Sequence, residues 1–234
     1  DNRNYGVRRI QLALEQRGVG ASRSSVRRAM KKGGLLKSPS RRSQSLTKAD
    51  AAAQKAENLI RRNFTAAVPN QKWLTDITQI PCADGKLYIA AVLDCCNGEI
   101  VGLAMDNNMK KELCIRAFES ACRAHGLYGM ILHSDRGSQF TSSGFRNVLA
   151  LHGAIQSMSG TGRCYDNART ESFFATLKKE KLYQIQTGKM PMDQIKSIVF
   201  RYIMTYYNRE RIYTSNPRGL APTMYRQAAR GLAA

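Results

Sequence analysis

The chain has 234 residues, of which 43% are hydrophobic, and a formal net charge of +20 at pH 7. This length is sufficient for one sizeable core plus a small module. The charge indicates a polyanionic partner, nucleic acid before membrane. No apolar run reaches the ~18 residues of a membrane-spanning helix, and the basic start lacks the apolar centre of a signal peptide.

Positive charge is concentrated near the start of the chain. Residues 1–62 carry 16 Lys and Arg against 4 Asp and Glu, whereas residues 63–234 carry 21 against 13. Within residues 1–37, apolar residues recur at helical spacing on both sides of Gly18-Val19-Gly20, which predicts two helices and a turn. The second helix is basic, so it either enters a major groove or binds phosphates without reading bases. The residues that we expect to contact DNA there are Arg23, Arg27, Arg28 and Lys31.

Residues 38–69 have the composition of a basic linker. Residues 38–45 are rich in Ser and Arg, which is typical of a flexible connection. Residues 47–62 contain strong helix formers but little apolar face, which favours a spacer helix. This helix either follows the DNA backbone with its basic residues or serves only as a connection.

From Gln71 the pattern changes to strands. Three β-rich runs, WLTDITQI, KLYIAAVLDCC and EIVGLAMD, are separated by Asp84-Gly85 and Asn97-Gly98, which predicts an antiparallel meander. Helical patterns at 110–125 and 142–152 then alternate with short strand patterns at 130–134 and 155–158. This order predicts an α/β sheet with helices on both faces. A further long helix is predicted at 192–211.

Three carboxylates are candidates for a metal site. Asp76 lies among apolar strand residues, Asp135 follows a short apolar run, and Glu171 lies within a helical pattern. Buried like charges repel, and a divalent cation with oxygen ligands, Mg²⁺ or Mn²⁺, relieves that conflict. Two such ions can activate an attacking oxygen and stabilise a leaving oxygen in phosphodiester chemistry. The alternative is that each Asp caps a strand or accepts hydrogen bonds in a turn.

The segment around Glu171 predicts a helix that begins after Asp166 as N-cap and continues to about Leu182. Asn167, Glu171 and Lys178 then fall within roughly 40° of one another on the helix surface. Such a stripe can hold a metal and a phosphate together. The alternative is an ordinary amphipathic helix with a solvated charged face.

Two further residues invite a functional interpretation that we do not favour. His133 lies two residues before Asp135, but we expect its side chain to point away from the carboxylates. Trp73, the only tryptophan, is expected in the core.

The six cysteines show neither C-x-x-C nor zinc-ligand spacing, so we expect reduced thiols.

Several blocks of the chain together resemble one known family. WLTDITQI, LYIAAVLD, HSDRGSQFTS, CYDNARTESFFATLK and YYNRERI are similar to the DDE transposases of bacterial insertion sequences that move by copy-out, paste-in, a group related to the retroviral integrase core. The thirty-five residues between Asp135 and Glu171 match that family's spacing. One departure is Tyr213, where family members often have His, which puts a DNA contact there in doubt.

The resemblance implies a ribonuclease H-like mixed sheet with flanking helices, preceded by a small helix-turn-helix-like module. It assigns residues 1–37 to DNA binding, 70–185 to the catalytic core and 186–234 to a helical extension packed on that core. It implies that Asp76, Asp135 and Glu171 are the catalytic residues and ligate two Mg²⁺ or Mn²⁺ ions. Lys178 resembles the basic residue that contacts the terminal nucleotide, and we place Asn167 with it at the DNA.

The function expected from this resemblance is a transposase that binds the terminal inverted repeats of its element, cleaves a 3′ end and performs strand transfer. Its partners would be double-stranded DNA, at element ends and target, and further copies of the chain, at least as a dimer. We expect a bacterial cytoplasmic protein associated with the nucleoid. Two alternatives remain: a nuclease or resolvase of the same fold without strand transfer, and a non-catalytic DNA-binding regulator.

Overall fold

The structure, a computed structural model, describes residues 4–36, 56–125, 129–160 and 164–231. The predicted flexible linker at 38–45, most of the predicted spacer helix and residues 161–163 lie outside the described residues. The strands are β1 (Lys72–Cys82), β2 (Gly85–Asp94), β3 (Ile100–Asp106), β4 (Ile131–Ser134) and β5 (Ile155–Met158). The helices are α1 (Val7–Gln16), α2 (Arg23–Lys32), α3 (Lys111–His125), α4 (Ser138–Thr141), α5 (Ser143–Leu151), α6 (Ala168–Glu180), α7 (Met192–Arg201) and α8 (Pro222–Gly231).

The sheet is mixed and has the strand order β3-β2-β1-β4-β5. β1, β2 and β3 pair antiparallel, as their turns predict, and Gly85 and Gly98 both adopt positive φ. β4 then pairs parallel to β1, and β5 parallel to β4. The meander followed by two short parallel strands confirms the α/β sheet predicted from the sequence.

Both faces of the sheet are covered by helices. β2 is apolar at successive positions, so it has apolar side chains on both of its faces, and each face packs in a separate core. Leu87, Ile89 and Leu93 contribute to a core that includes residues of α6 and α7. Ala90 and Val92 contribute to a second core that includes residues of α3 and α5. Side chains alternate across a strand, so neighbouring apolar residues on β2 serve opposite layers.

The C-terminal residues pack on the same sheet. α7 is continued by a π-helical segment, Tyr202–Tyr207, so the predicted helix at 192–211 is present with a changed hydrogen-bonding pattern in its second half. Ile195, Val199 and Ile203 are fully buried in the core beneath α6. Packing of the extension on the core is therefore observed, while its boundary at residue 186 stays a prediction.

The N-terminal module has the two predicted helices. Ser22 caps α2 by accepting a hydrogen bond from the Ser25 amide at 3.1 Å. The module rests on the C-terminal part of the chain: the Ile212 amide donates to the Tyr5 hydroxyl at 2.9 Å, and Arg9 donates to Glu180 at 2.8 Å.

Two local predictions are corrected by the structure. Residues 56–62 form turns rather than the end of a spacer helix, because Ile60 is buried in the core, which a solvent-exposed spacer would not allow. Asp166 does not cap α6: a 3₁₀ turn, Cys164–Asn167, precedes the helix, which then ends at Glu180 rather than near Leu182.

Among the described residues, no helix is both long enough and apolar enough to cross a membrane.

Candidate active site

The three candidate carboxylates lie on neighbouring elements. Asp76 occupies the middle of β1, with the same side-chain parity as Leu74 and Ile80, which face α6. β1 and β4 run parallel with Leu74 opposite His133, so the chain two residues further along brings Asp135 beside Asp76. Glu171 lies in the first turn of α6, which covers this face of the sheet. The topology therefore places the three residues on neighbouring elements at one face of the sheet, although they are far apart in sequence.

The pKa values show that the three carboxylates act on one another. Burial raises the pKa of Asp76 well above its usual value, and the charges of Asp135 and Glu171 raise it further. Glu171 is exposed on α6, but partial desolvation and then the charge of Asp135 raise its pKa. The charges of Asp135 and Glu171 thus both act on Asp76, and the charge of Asp135 also acts on Glu171.

Hydrogen bonds orient two of the carboxylates. The Ile77 amide donates to Asp76 Oδ1 at 2.8 Å, and the Gly137 amide donates to Asp135 Oδ1 at 3.0 Å. Across the described parts of the chain, no three His, Cys, Asp or Glu side chains form a group already arranged to hold a metal ion. The trio therefore shares one electrostatic region without forming a closed set of ligands.

The chemistry of these residues fits a hard divalent cation. All three side chains offer oxygen only, and the pKa values of Asp76 and Glu171 are raised first by desolvation and then by neighbouring carboxylates, both of which a bound cation would counter. Among the side chains that the structure describes, Cys114 is affected by the charges of Asp135 and Asp76, and burial raises its pKa and so disfavours a metal-binding thiolate.

Lys178 belongs to this region, as its position on the helix predicts. Burial lowers the pKa of Lys178, and the charge of Asp76 acts in the opposite direction. Its ammonium is half-buried beside the carboxylates, where a phosphate can approach it.

Asn167, which was expected to contact DNA, is buried and hydrogen-bonded within the protein. It is 3% exposed, its Nδ2 donates to the Thr75 carbonyl at 3.2 Å, and its Oδ1 accepts from the Thr170 hydroxyl at 3.0 Å. Both ends of the amide are therefore engaged within the protein. Asn167 thus connects the start of α6 to β1 next to Asp76.

His133 is a structural residue. Its ring is fully buried and hydrogen-bonded to the Ser157 hydroxyl at 2.8 Å and the Ser159 hydroxyl at 3.3 Å. Burial lowers its pKa to about 4, so the ring is neutral at physiological pH. These hydrogen bonds connect β4 to β5 and the segment that follows it, and they direct the ring to the serines rather than to the three carboxylates.

Sequence reasoning missed Asp166 as a residue of this region. Burial alone would raise its pKa, but hydrogen bonds from Arg62 and the Gly160 amide hold that pKa below the usual value. The only signal in the sequence was an acidic residue before a helix, which is explained equally well by capping.

The basic residues predicted on α2 are all on the surface. Val26 and Met30 are buried and fix the orientation of the helix. Arg23, Arg27, Arg28 and Lys31 are exposed, and none forms an ion pair with an acidic residue in the described ranges. Their charges are thus accessible to a polyanion.

Tyr213, at the position of the family's frequent His, is part of the packing. Arg169 Nε donates to its hydroxyl at 3.4 Å. Its ring lies so close to Gly98 that a Cβ there would be 2.3 Å from the ring. The aromatic ring therefore requires glycine in the β2–β3 turn, for space as well as for its positive φ.

Comparisons with known proteins identify the same organisation. Residues 1–44 match an HTH-like domain, and residues 66–164 and 171–229 match two models of an integrase core domain. An uncharacterized 31 kDa protein of insertion element IS600 from Shigella sonnei is 35% identical over 98% of this chain and 84% of its own length. The transposase for insertion sequence element IS904 from Lactococcus lactis is 37% identical over 90% of this chain and 83% of its own length.

Among solved structures, the HTLV-2 integrase catalytic core domain in complex with magnesium (trimeric form) aligns with a TM-score of 0.50 and 20% identity. The alignment covers 69% of this chain and 99% of that one. The likeness shows a common fold, which is the ribonuclease H-like fold of integrase cores, as the sequence blocks implied.

Proposed function

This chain belongs to the integrase-core transposases of insertion sequences, and from that premise we propose that it cuts and joins DNA at its trio of acidic residues. It binds the terminal inverted repeats of its element as double-stranded DNA, cleaves a 3′ end and uses the freed 3′-OH for strand transfer to target DNA. The observation that carries the proposal is structural: Asp76 lies on β1, Asp135 follows the adjacent parallel strand β4, and Glu171 lies in the first turn of α6, which packs on the sheet face that Asp76 shares.

The acidic trio supplies the ligands in this mechanism. Asp76, Asp135 and Glu171 would hold two Mg²⁺ or Mn²⁺ ions, which would supply activation of the attacking water or 3′-OH and stabilisation of the leaving oxygen. Asp76 and Asp135 are held by the amides of Ile77 and Gly137, so their orientation is largely set before DNA arrives.

Lys178 and the α2 residues bind the substrate. The Lys178 ammonium beside Asp76 binds a phosphate of the terminal nucleotide. Arg23, Arg27, Arg28 and Lys31 bind the duplex at a distance from the reacting phosphate. No covalent bond between protein and DNA is needed, because each step is a direct displacement at phosphorus.

Transposition requires two element ends in one complex, so we propose that the chain acts as a homo-oligomer, at least a dimer, on nucleoid DNA in the bacterial cytoplasm. The HTH-like match and the polar, basic surface of α2 support DNA as the partner.

The test is Asp135→Asn on a linear duplex that ends in the element's terminal repeat, with Mg²⁺ present. We expect cleavage and joining to fall below detection while DNA affinity changes less than about twofold. The matched control is Asp193→Asn, which removes a carboxylate whose side chain is 90% exposed on α7 and should leave both activities unchanged.

The products also separate the alternatives. Cleavage by the wild-type chain without any joined product would identify a nuclease or resolvase. Joining retained in Asp135→Asn would contradict the mechanism, and DNA binding without any cleavage by the wild-type chain would favour a regulator.

A further inference from the structure

The segment that precedes the catalytic core is bound tightly to the start of α6. We define the pre-core segment as residues 56–66. It falls almost entirely between the matches to the HTH-like domain, which ends at residue 44, and to the integrase core, which begins at residue 66. Neither match therefore assigns it a role.

Asp166, in the 3₁₀ turn before α6, is the centre of this contact. It is 1% exposed and accepts three hydrogen bonds, each from a different residue. Arg62 Nε donates to Oδ1 at 2.9 Å, and Asn58 Nδ2 donates to Oδ2 at 2.9 Å. The Gly160 amide donates to Oδ2, also at 2.9 Å. A buried carboxylate needs such partners to remain ionised, so the pre-core segment completes the environment of Asp166.

The remainder of the pre-core segment is fixed at several further points. Ile60 is 2% exposed in the core, and the Leu59 amide donates to the Ser157 hydroxyl at 3.0 Å. Lys72 Nζ donates to the Asn63 carbonyl at 2.8 Å, and Arg169 on α6 donates to the Phe64 carbonyl. The segment is thus joined both to the sheet and to the helix that carries Glu171.

The backbone conformation of the pre-core segment favours the contact between Arg62 and Asp166. Arg61 and Arg62 have φ values of 43° and 64°, in the left-handed region that non-glycine residues rarely occupy. Such conformations are unfavourable for residues other than glycine and persist where surrounding contacts maintain them. Here the turn directs Arg62 to Asp166, while the Arg61 side chain is 81% exposed and pairs only loosely with Glu57 at 3.7 Å.

A short path leads from this contact to the carboxylates. Asp166 immediately precedes Asn167, whose amide is bonded to the Thr75 carbonyl next to Asp76. One helical turn later, α6 presents Glu171. We propose that Arg62 and Asp166 are positioning residues: their contact fixes the first turn of α6, so that Glu171 faces Asp76 and Asp135 and the three can share cations. The effect on metal binding rests on the proposed function, whereas the contact between Arg62 and Asp166 does not.

The experiment compares Arg62→Gln with Arg61→Gln in the full chain. The two variants remove the same charge from adjacent residues with similar backbone conformations, but only Arg62 contacts Asp166. The first readout is hydrogen exchange of the amides at residues 168–172 without DNA or metal. The second is Mn²⁺ binding measured calorimetrically, and the third is the Mg²⁺ concentration that half-saturates cleavage.

We expect Arg62→Gln to speed exchange in the first turn of α6 and to weaken Mn²⁺ binding about 10-fold, the usual effect of removing a group that orients a metal ligand. DNA affinity should match that of Arg61→Gln. Saturating Mg²⁺ should restore most of the lost cleavage, which a general loss of folded protein would not allow. Asp166→Asn should reproduce the effect, and the double variant should lose little more than either single variant.

Equal exchange and equal Mn²⁺ affinity in Arg62→Gln and Arg61→Gln would overturn the inference while leaving the proposed function intact. If the wild-type chain neither binds Mn²⁺ nor cleaves DNA, the proposed function fails. Hydrogen exchange then still decides whether Arg62 holds the first turn of α6.

Discussion

Lys178 lies close enough to Asp76 for each side chain to change the pKa of the other. Burial is nevertheless the larger influence on both, and it raises the pKa of the acid while lowering that of the base. Burial therefore shifts both groups toward their neutral forms. Cations near the carboxylate and a phosphate near the ammonium would stabilise both charged forms, so substrate and metal complement the same pair.

The first prediction concerns stability without metal. Because the pKa of Asp76 is raised on folding, the folded state favours its protonated form, and stability from this group is lost as pH rises through the folded pKa. Asp76→Asn should therefore raise Tm, by about 2–4 °C at pH 8, the shift that ~1 kcal/mol produces in a chain of this size. The gain should shrink toward pH 4, as the wild-type carboxyl becomes protonated.

The measurement is thermal unfolding with EDTA, with Asp193→Asn as the control for an exposed carboxylate. With excess Mg²⁺ the wild type should have the higher Tm of the two, since metal binding to the native state stabilises only the protein that has all three carboxylate ligands. A lower Tm for Asp76→Asn in EDTA at pH 8 would contradict the electrostatic account.

The second prediction concerns the pH at which protons begin to displace the metal. As pH is lowered, metal affinity should begin to fall at a higher pH than it would at a site made of carboxylates with ordinary pKa values. Protons compete with the metal, and the raised pKa values of Asp76 and Glu171 move that competition above the ordinary range of about 4. The half-saturating Mn²⁺ concentration should thus increase as pH is lowered toward the folded pKa values. Calorimetry in buffers of different ionisation enthalpy should also detect proton release on binding. A pH-independent affinity above pH 5 with no proton release would refute the prediction.

The strands were predictable from their local pattern, and the same pattern with a recognisable spacing singled out Asp76, Asp135 and Glu171 as candidates, whose catalytic role stays a proposal. β2 alternates between two apolar layers, and the turns at Gly85 and Gly98 mark the meander. The environment of Asp166 was not predictable, because its partner Arg62 is 104 residues away and nothing in the intervening sequence records the contact. Asn167 was assigned from its helical stripe, which cannot reveal that the helix begins one residue later against Thr75.

The third prediction concerns the exposed arginines of α2. If Arg27 and Arg28 each contact a phosphate, the double change to Gln should weaken DNA binding and reduce the slope of log affinity against log salt by about 2, roughly 1 per contact. Arg123→Gln, at an exposed residue of α3, should leave the slope unchanged. The slope should be measured on terminal-repeat DNA and on unrelated DNA of equal length. An equal loss on both would indicate phosphate binding, whereas a larger loss on the repeat would indicate base reading. An unchanged slope would remove these two residues from the DNA interface.

The fourth prediction separates two cations that share one acid at the end of α6. Arg211 donates to Glu180 at 2.9 and 2.8 Å and is 3% exposed, whereas Arg9 of α1 donates at 2.8 Å with a side chain that is 23% exposed. Glu180→Gln would leave Arg211 buried without its counter-charge and should cost about 3–5 kcal/mol in urea unfolding. Arg9→Gln should cost at most ~1 kcal/mol, because Glu180 keeps Arg211 and the Tyr202 hydroxyl.

The pH dependence provides the check on this fourth prediction. Burial alone would raise the pKa of Glu180, but the hydrogen bonds from Arg211 hold it below its usual value. Stability from a lowered carboxyl pKa is present above the unfolded value of about 4.3 and is lost as pH falls through the folded pKa. The difference in the free energy of unfolding between wild type and Glu180→Gln should therefore decrease in acid. The difference between wild type and Arg9→Gln should stay small at every pH. Equal costs for the two variants at pH 7 would mean that the N-terminal module, rather than Arg211, supplies the main partner of Glu180.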